Sequence, residues 1–531
     1  MARISQIYAQ PTPQTEPADD NQVANTAGGY SFKIEDWDQL DRFLILGSEG
    51  GTYYIKPRQL TKENAKNAIN LIKKDGKRVV DRIVEISEAG RAPRNDPALF
   101  VLALCVAEGD EDTRHYAYQN LSRVARIGTH LFTFVECVSS LGKGWGKGLR
   151  KAVARWYTEK SVDQLQYTAI KYKQRNGWSH RDLLRLSHAK PLNEQMDHVF
   201  YYMTKGELMP LDLAPEAPLP QIRAHASLSD DSTVAQVVRA IEEYRLPREG
   251  IPTKHLNSAD VWNALLEVDM PMTALVRNLG KMTSVGLLKP SSSAVKIACA
   301  KLENEEAVRK SRIHPMQVLF ALKTYASGGG FKGSLTWSPV TRITDALDNL
   351  FYTSFGNVEP TGKRMLLALD VSGSMSSPVM FESPITCAEA SAAMAMVTAR
   401  VEKEWEVMAF ADGFRKISIS PRQRMDDVLK MTERQNFGGT DCSLPMIWAN
   451  QKGLEFDTFI VLTDSETYAG KMHPHEALNQ YRKKTNIPAK LVVVAMTSNG
   501  FTIANPNDKG MLDVCGFDTG TPSVISDFVR N

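Results

Sequence analysis

A chain of 531 residues is long enough for several domains with cores of their own, and its 24% charged and 43% hydrophobic residues are those of an ordinary globular protein. The formal charge is only +3, no apolar run approaches the ~20 residues that span a bilayer, and no charged-then-apolar leader opens the chain, so the expectation is a cytoplasmic protein with no membrane contact. The six cysteines are dispersed with no CxxC pair and no tight His/Cys cluster, for which reduced thiols in a cytosol-like compartment are the simplest account.

Residues 1–29 are rich in Pro, Gln, Asp and Ala, lack periodicity, and read as a disordered tail. A helix is expected from about Glu35 to Leu46, with Trp37, Leu40 and Leu44 on one face, closed by the glycines of Gly47 to Gly51 as a C-cap and turn rather than a phosphate loop. From Thr61 to about Phe355 amphipathic helices follow one another with short Gly, Pro, Asn or Asp breaks and no convincing strand. Ala98 to Ala107 is apolar on every side and predicts a helix buried all round. About fifteen helices exceed one bundle, and stacked helix pairs of a degenerate HEAT-like kind are the usual solution. A stretch of lower order, roughly Met209 to Ser229, divides the array, and a loose glycine-rich stretch follows at Ser327 to Ser334.

Within the array, Leu121 to Lys190 carries fourteen Lys or Arg against four carboxylates. From Lys143 to Lys190 the pattern reads as three helices. Lys147, Lys151 and Arg155 line one side of the first, opposite Leu149, Val153 and Trp156. Lys171 and Arg175 stand four apart in the second, beside Leu165, Ala169 and Tyr172. Arg181, Arg185 and His188 repeat the spacing in the third, against Leu183, Leu184 and Leu186. Like charges at i,i+4 cost a few tenths of a kcal/mol each, so a purely solvated face would interleave acids. This excess points to a polyanion, and phosphate is the natural target.

After Gly356 short apolar strands alternate with helices: Arg364 to Leu369, Glu404 to Phe410, Phe459 to Leu462 and Leu491 to Met496, with an Ala/Met-rich helix from Thr386 to Val401. That grammar predicts a doubly wound α/β domain with a parallel sheet, whose ligands bind at the carboxyl ends of the strands. There the chain places Asp370, Ser372 and Ser374 in a D-x-S-x-S loop, with Thr440 and Asp464 on later loops. An all-oxygen set suits a hard cation, Mg²⁺ first and Ca²⁺ or Mn²⁺ next. Together these residues resemble the metal-ion-dependent adhesion site of von Willebrand factor A domains, in that family's chain order.

Enzymatic readings fail at the sequence. Ser374 is not in a G-x-S-x-G elbow, and neither Thr361-Gly-Lys-Arg nor Lys143-Gly-Trp-Gly-Lys has Walker A spacing. His473, His475 and Glu476 read as the first turn of a helix rather than a ligand set. No catalytic residues are assigned, and a non-enzymatic protein is expected. The alternative class is a metal-dependent protein-interaction scaffold with a peptide-binding solenoid, which would have no need of the basic segment.

The helical array, the terminal A domain and the stretches RFLILGSEGGTYYI, THLFTFVE and KYKQRNGWSHRDLLRLSH make the chain resemble the Ro autoantigen family of TROVE-domain proteins, in the manner of a bacterial member, from about Ser31 onward. After the tail over 1–29, the resemblance implies a helical-repeat ring over 30–357 and an A domain over 358–531 that joins the ring's ends, in a monomer. It implies small noncoding Y RNAs on an outer basic surface and single-stranded ends of misfolded or structured RNAs in a central hole, in RNA quality control, processing and stress survival. By motif, Lys171, Arg175 and His188 are carried over as RNA contacts, with Gln174 and His180 beside them. A ring-shaped exoribonuclease, polynucleotide phosphorylase, is implied as a partner tethered through the RNA.

Overall fold

The computed structural model describes residues 10–46, 65–210, 218–268, 270–330, 333–356, 358–379, 385–432, 438–497, 499–517 and 520–531. The glycine turn expected at Gly47 to Gly51 lies outside them, as do residues 1–9.

The helical array runs from Lys66–Ala89 to Thr341–Thr353. Helix Asp96–Glu108 is buried at every position from Pro97 to Ala107, because its neighbours Lys66–Ala89 and Gly128–Ser140 cover its apolar faces. The stretch of lower order after Met209 contains a helix of its own, Pro220–Ser227, started by Pro at its first turn.

The two ends of the array meet. Helix Lys66–Ala89 stops at Gly90, whose φ of 68° is the left-handed cap glycine adopts without strain. The carbonyls just exposed around that stop are taken by side chains more than 200 residues later. Arg312 Nη1 donates to Glu88 O at 2.8 Å, and Gln317 Nε2 to Pro93 O at 2.9 Å. His314 Nδ1 accepts from Met316 N, so its Nε2 carries the proton donated to Arg91 O at 3.0 Å. The array is thereby closed on itself.

The α/β domain holds a six-stranded sheet in the order β11-β9-β8-β5-β6-β7. Its strands are β5 (Met365–Asp370), β6 (Trp405–Phe410), β7 (Phe414–Lys416), β8 (Thr458–Thr463), β9 (Lys490–Ala495) and β11 (Met511–Cys515). All pair in parallel except β7, which runs antiparallel to β6. β5 and β8 are buried at every residue, as continuous apolar runs covered on both faces require. The domain sits on the last helices of the array. Asp348 accepts from Met425 N at 2.8 Å and from Arg400, Arg424 pairs with Asp345, and Lys323 pairs with the buried Glu389.

The expectation of disorder over residues 1–29 is corrected for 10–29. Strands β1 (Gln22–Ala24) and β2 (Tyr30–Lys33) pair with each other, and β2 pairs with β10 (Phe501–Thr502). Gln14 and Asn25 are buried, and their amides bind loops of the A domain, so low hydrophobicity here accompanies order gained from side-chain amide bonds. Helix Asp36–Leu46 then buries Arg42, which pairs with Asp513 of β11 and donates to Asn499 O and Phe501 O. The first described residues are therefore built into the last domain.

Candidate nucleic-acid interface and metal loop

Helix Lys147–Thr158 buries Leu149, Val153 and Trp156, as their spacing predicts. Lys147 and Lys151 are exposed, with no ion pair or hydrogen bond among the described residues. Arg155 differs: its side chain, 41% exposed, donates to Tyr118 O at 2.6 Å and pairs with Glu159 at 3.3 Å, so it also ties two helices together.

The second helix, Val162–Lys171, is started by a capping box between Ser161 and Gln164 and ends at Lys171. Arg175 is not on it. The chain turns instead into a hairpin of β3 (Gln174–Arg175) and β4 (Trp178–Ser179), with Arg175 opposite Trp178. Its two turn residues, Asn176 and Gly177, have φ of 52° and 79°. Two left-handed residues match the twist of a two-residue hairpin, and Asn-Gly is the dipeptide that adopts them most readily. Trp178 Nε1 donates to Glu136 Oε2 at 2.7 Å, which fixes the hairpin to helix Gly128–Ser140.

Ser179 closes the hairpin and caps helix His180–Ser187 through a capping box with Asp182, whose charge is thereby engaged locally. The helix buries His180, Leu183, Leu184 and Ser187. It leaves Arg181 and Arg185 exposed without partners among the described residues, and Leu186, expected inside, is 38% exposed beside them. His188 ends the helix in a left-handed cap with φ 53° and is exposed.

The hairpin and this helix thus present Lys173, Gln174, Arg175, Arg181, Arg185 and His188 to solvent. Arg175 is 48% exposed, and its nearest acid, Asp96, stands 3.5 Å away. Lys171 is half-buried, with Nζ 2.6 Å from the Tyr167 hydroxyl and over the Tyr167 and Tyr172 rings. Burial is the largest single effect and acts against its charge, but the bond to the Tyr167 hydroxyl together with the charges of Tyr172, Tyr167 and Glu249 holds the ammonium's pKa above its ordinary value. A cation held in place before a ligand arrives loses little side-chain freedom on binding.

His180 is corrected. It is 3% exposed, packed on Phe132, and bonded through Nδ1 to the Tyr157 hydroxyl at 2.8 Å. Burial pushes its pKa down to about 4, so it is a neutral core residue and offers no charge to phosphate. Lys173 escapes a stripe indexed on a helix that has already ended. The Asn-Gly pair three residues later is the signal for the hairpin.

In the A domain the carboxyl end of β5 delivers Asp370. Its Oδ1 accepts from Ser372 N at 2.9 Å and its Oδ2 from the Thr463 hydroxyl at 2.5 Å. The hydroxyls of Ser372 and Ser374 lie 3.1 Å apart. Asp464 follows β8; its Oδ1 accepts from Glu466 N, while its Oδ2 is buried without a hydrogen bond. Thr440 is buried as well. Burial first, and then the charge of Asp464, push Asp370 up to about 7. Two buried acids that oppose each other's ionisation, hydroxyls between them and an orphaned carboxylate oxygen form a donor set that fits a hard divalent cation.

The loop after β8 is also the main seat of the N-terminal segment, which the sequence did not connect to it. Asn25 Nδ2 donates to Thr467 O at 2.8 Å, Ser31 Oγ to Ser465 O at 3.0 Å, and Ala27 N to Glu466 Oε2 at 3.0 Å. Gln14 Nε2 donates to Asp441 Oδ1, beside Thr440, at 2.8 Å. His473 and Glu476 form a capping box around Pro474, the helix start read from the sequence.

Two family models match the chain: the TROVE domain over residues 23–210 and 243–328, and the Ro60 vWA domain over 364–529. The chain is 40% identical to the RNA-binding protein RO60 of Deinococcus radiodurans, across 98% of this chain and 97% of that protein. It is 36% identical to the RNA-binding protein RO60 of Caenorhabditis elegans, across 97% and 91%. The crystal structure of the Deinococcus radiodurans RO (RSR) protein superposes with a TM-score of 0.70 at 40% identity, covering 93% of this chain and 99% of that one.

Proposed function

This chain belongs to the TROVE-domain Ro60 family, and from that premise we propose that it is an RNA-binding ring protein whose outer basic face grips structured small RNA of the Y RNA kind. The observation that carries this is the stretch from the end of helix Val162–Lys171 through the hairpin and the following helix, which sets Lys171, Lys173, Arg175, Arg181, Arg185 and His188 in close succession with Asp182 already engaged in a cap. Lys147 and Lys151 extend the basic face on an earlier helix. Phosphate contacts supply affinity with little sequence information, and double-helical RNA hides its deep groove, so a backbone reader suits it. The neutral Gln174 adds the capacity to recognise a base edge or a 2′-hydroxyl beside the phosphates.

The same reading assigns the protein to RNA quality control, processing and stress survival in the cytoplasm, with single-stranded ends of misfolded RNAs admitted through the ring. A ring-shaped exoribonuclease, polynucleotide phosphorylase, is the partner tethered through the bound RNA. No helix among the described residues is long and apolar enough to cross a membrane. The chain's own role is binding and presentation, with no catalytic step.

Asp370, Ser372, Ser374, Thr440 and Asp464 would hold Mg²⁺ in the A domain. When bound, the cation supplies a Lewis-acid anchor for an oxygen ligand. The residues' own part is to neutralise it, orient its open side and, through the N-terminal segment seated on the loop after β8, keep that loop in place.

The deciding experiment is titration of a structured hairpin RNA at several salt concentrations. Lys171→Ala with Arg175→Ala is expected to weaken binding about tenfold or more and to lower the slope of log K against log salt by about 1 for each phosphate no longer neutralised. Binding that is unchanged at every salt concentration would remove this face from the function.

A further inference from the structure

A cavity of about 390 Å³ opens at the seam where the array closes. That volume is at the small end of the roughly 300–1,000 Å³ of small-molecule sites. Its walls come from both ends of the array: Pro93 and Arg94 from the segment after the first long helix, and helices Met272–Ser284 and Pro315–Ser327 from the other end. Gln317, in the wall, is also one of the three side chains that make the seam, through its bond to Pro93 O.

The lining has two chemical halves. One is aromatic and built in advance. Tyr325 stacks on Trp337 with ring centroids 6.0 Å apart and planes 23° from parallel. Trp337 Nε1 donates to Tyr325 O at 3.0 Å, and the Tyr325 hydroxyl lies 3.0 Å from that of Thr283. The indole lies so close to helix Met272–Ser284 that a Cβ on Gly280 would meet its ring at 2.8 Å, so only glycine lets it sit there. Phe320 completes this half.

The other half is cationic. Arg94 and Arg277 line the same cavity, are exposed, and have no ion pair or hydrogen bond among the described residues. Several arginines of this array are engaged by acids or carbonyls, as Arg82, Arg123, Arg155 and Arg342 are, whereas Arg94 and Arg277 share with Arg181 and Arg185 of the outer basic face the lack of such a partner among the described residues. Two guanidinium groups left free at the mouth of an aromatic cavity match a ligand with a flat ring and a phosphate.

We propose that this seam cavity is a nucleotide site, with the base against Phe320 and Trp337 and the phosphate on Arg94 and Arg277. The choice of ligand rests on the RNA-binding reading. The nucleotide is either free or the last residue of a single-stranded RNA. Because the walls belong to opposite ends of the array, occupancy also bolts the seam.

The test uses the full chain, with calorimetric titration of uridine and adenosine 5′-monophosphates, uridine, ribose 5-phosphate and a 5′-phosphorylated single-stranded hexauridylate. The monophosphates are expected to bind at least tenfold more tightly than the nucleoside or the sugar phosphate, and to raise the melting temperature. Arg94→Ala with Arg277→Ala, which removes side chains without internal partners, is expected to weaken nucleotide binding at least tenfold while structured-RNA binding and the ligand-free melting temperature stay as they were. Tighter binding of the hexamer than of the monomers identifies an RNA end as the source; equal affinity identifies the free nucleotide. Absence of binding by every nucleotide and by the hexamer, or equal binding by the double variant, overturns the site. The structured-RNA titration with Lys171→Ala and Arg175→Ala reports on the outer face separately, so failure of one assignment is not failure of the other.

Discussion

His180 shows how far a single residue can depart from the motif that contains it. It stands between two exposed cationic positions in sequence, yet it points inward to the Tyr157 hydroxyl and the Phe132 ring. Nothing in its local sequence distinguishes it from His188, because which histidine opens a helix on its buried side depends on where the preceding hairpin ends. Its depressed pKa makes stability depend on pH with a definite sign. An unfolded histidine takes up a proton near pH 6.5, whereas folded His180 resists protonation until about pH 4. The unfolded state therefore binds more protons in that window, and stability present above pH 6.5 falls as pH drops toward 4, by about 3 kcal/mol in all. His130 is pushed down to about 4 by burial as well and adds to the same fall. Replacing His180 with Gln removes one titrating group, so the loss of stability between pH 7 and pH 5 is expected to be smaller than in the parent chain. Urea unfolding at the two pH values checks it, and an undiminished loss would place the titration elsewhere.

Elements were legible wherever their apolar pattern was long. The all-apolar run at Ala98 to Ala107 and the strands β5, β8 and β9 need only their own composition to declare themselves, and each lies where its sequence puts it. The two-residue strands β3 and β4 are too short for any alternation, so only Asn176-Gly177 could have marked them. Order in residues 10–33 is illegible locally because their partners, Asp441, Ser465, Glu466 and Thr467, lie more than 400 positions away and are reached by side-chain amides, a hydroxyl and backbone rather than apolar side chains. The loops that carry the proposed metal donors can be picked out from spacing alone, but Thr463, which binds Asp370 from the end of β8, cannot. The loop pair makes its own prediction. Two buried carboxylates destabilise each other without a cation, so Asp370→Asn is expected to leave the metal-free protein at least as stable as the parent. It is also expected to abolish stabilisation by Mg²⁺, which for a site at a hundredfold excess over Kd amounts to about 2.7 kcal/mol. Melting curves with and without Mg²⁺ decide the matter, and a variant still stabilised by Mg²⁺ to the parent's extent would refute the assignment.

At the scale of the molecule, the chain is closed twice, once where residues 10–46 are built into the A domain and once at the seam of the array. Both closures are fastened by hydrogen bonds, the first with apolar contact as well, where Phe32 is buried against His475. The seam consists of three side-chain donors placed on three backbone carbonyls around Gly90. The bond to Glu88 O is exposed and those to Arg91 O and Pro93 O are part-buried, so each contributes roughly 0.5–1.5 kcal/mol, and the three act on one short segment, so their loss should be felt locally before it is felt globally. Arg312→Ala with Gln317→Ala removes two of them and keeps His314, whose ring also caps the helix that follows it. The expected result is a loss of about 1–3 kcal/mol together with faster amide exchange at residues 88–95 and 312–318, while exchange in β5, β8 and β9 stays slow. The A domain keeps its protection because its contacts to the array run through Lys323, nearly two turns beyond Gln317 on the same helix, and through Asp345 and Asp348 on the helix after it. Exchange that accelerates equally in the central strands would mean that seam and sheet open as one unit, and the ring would then have to be treated as a single cooperative structure.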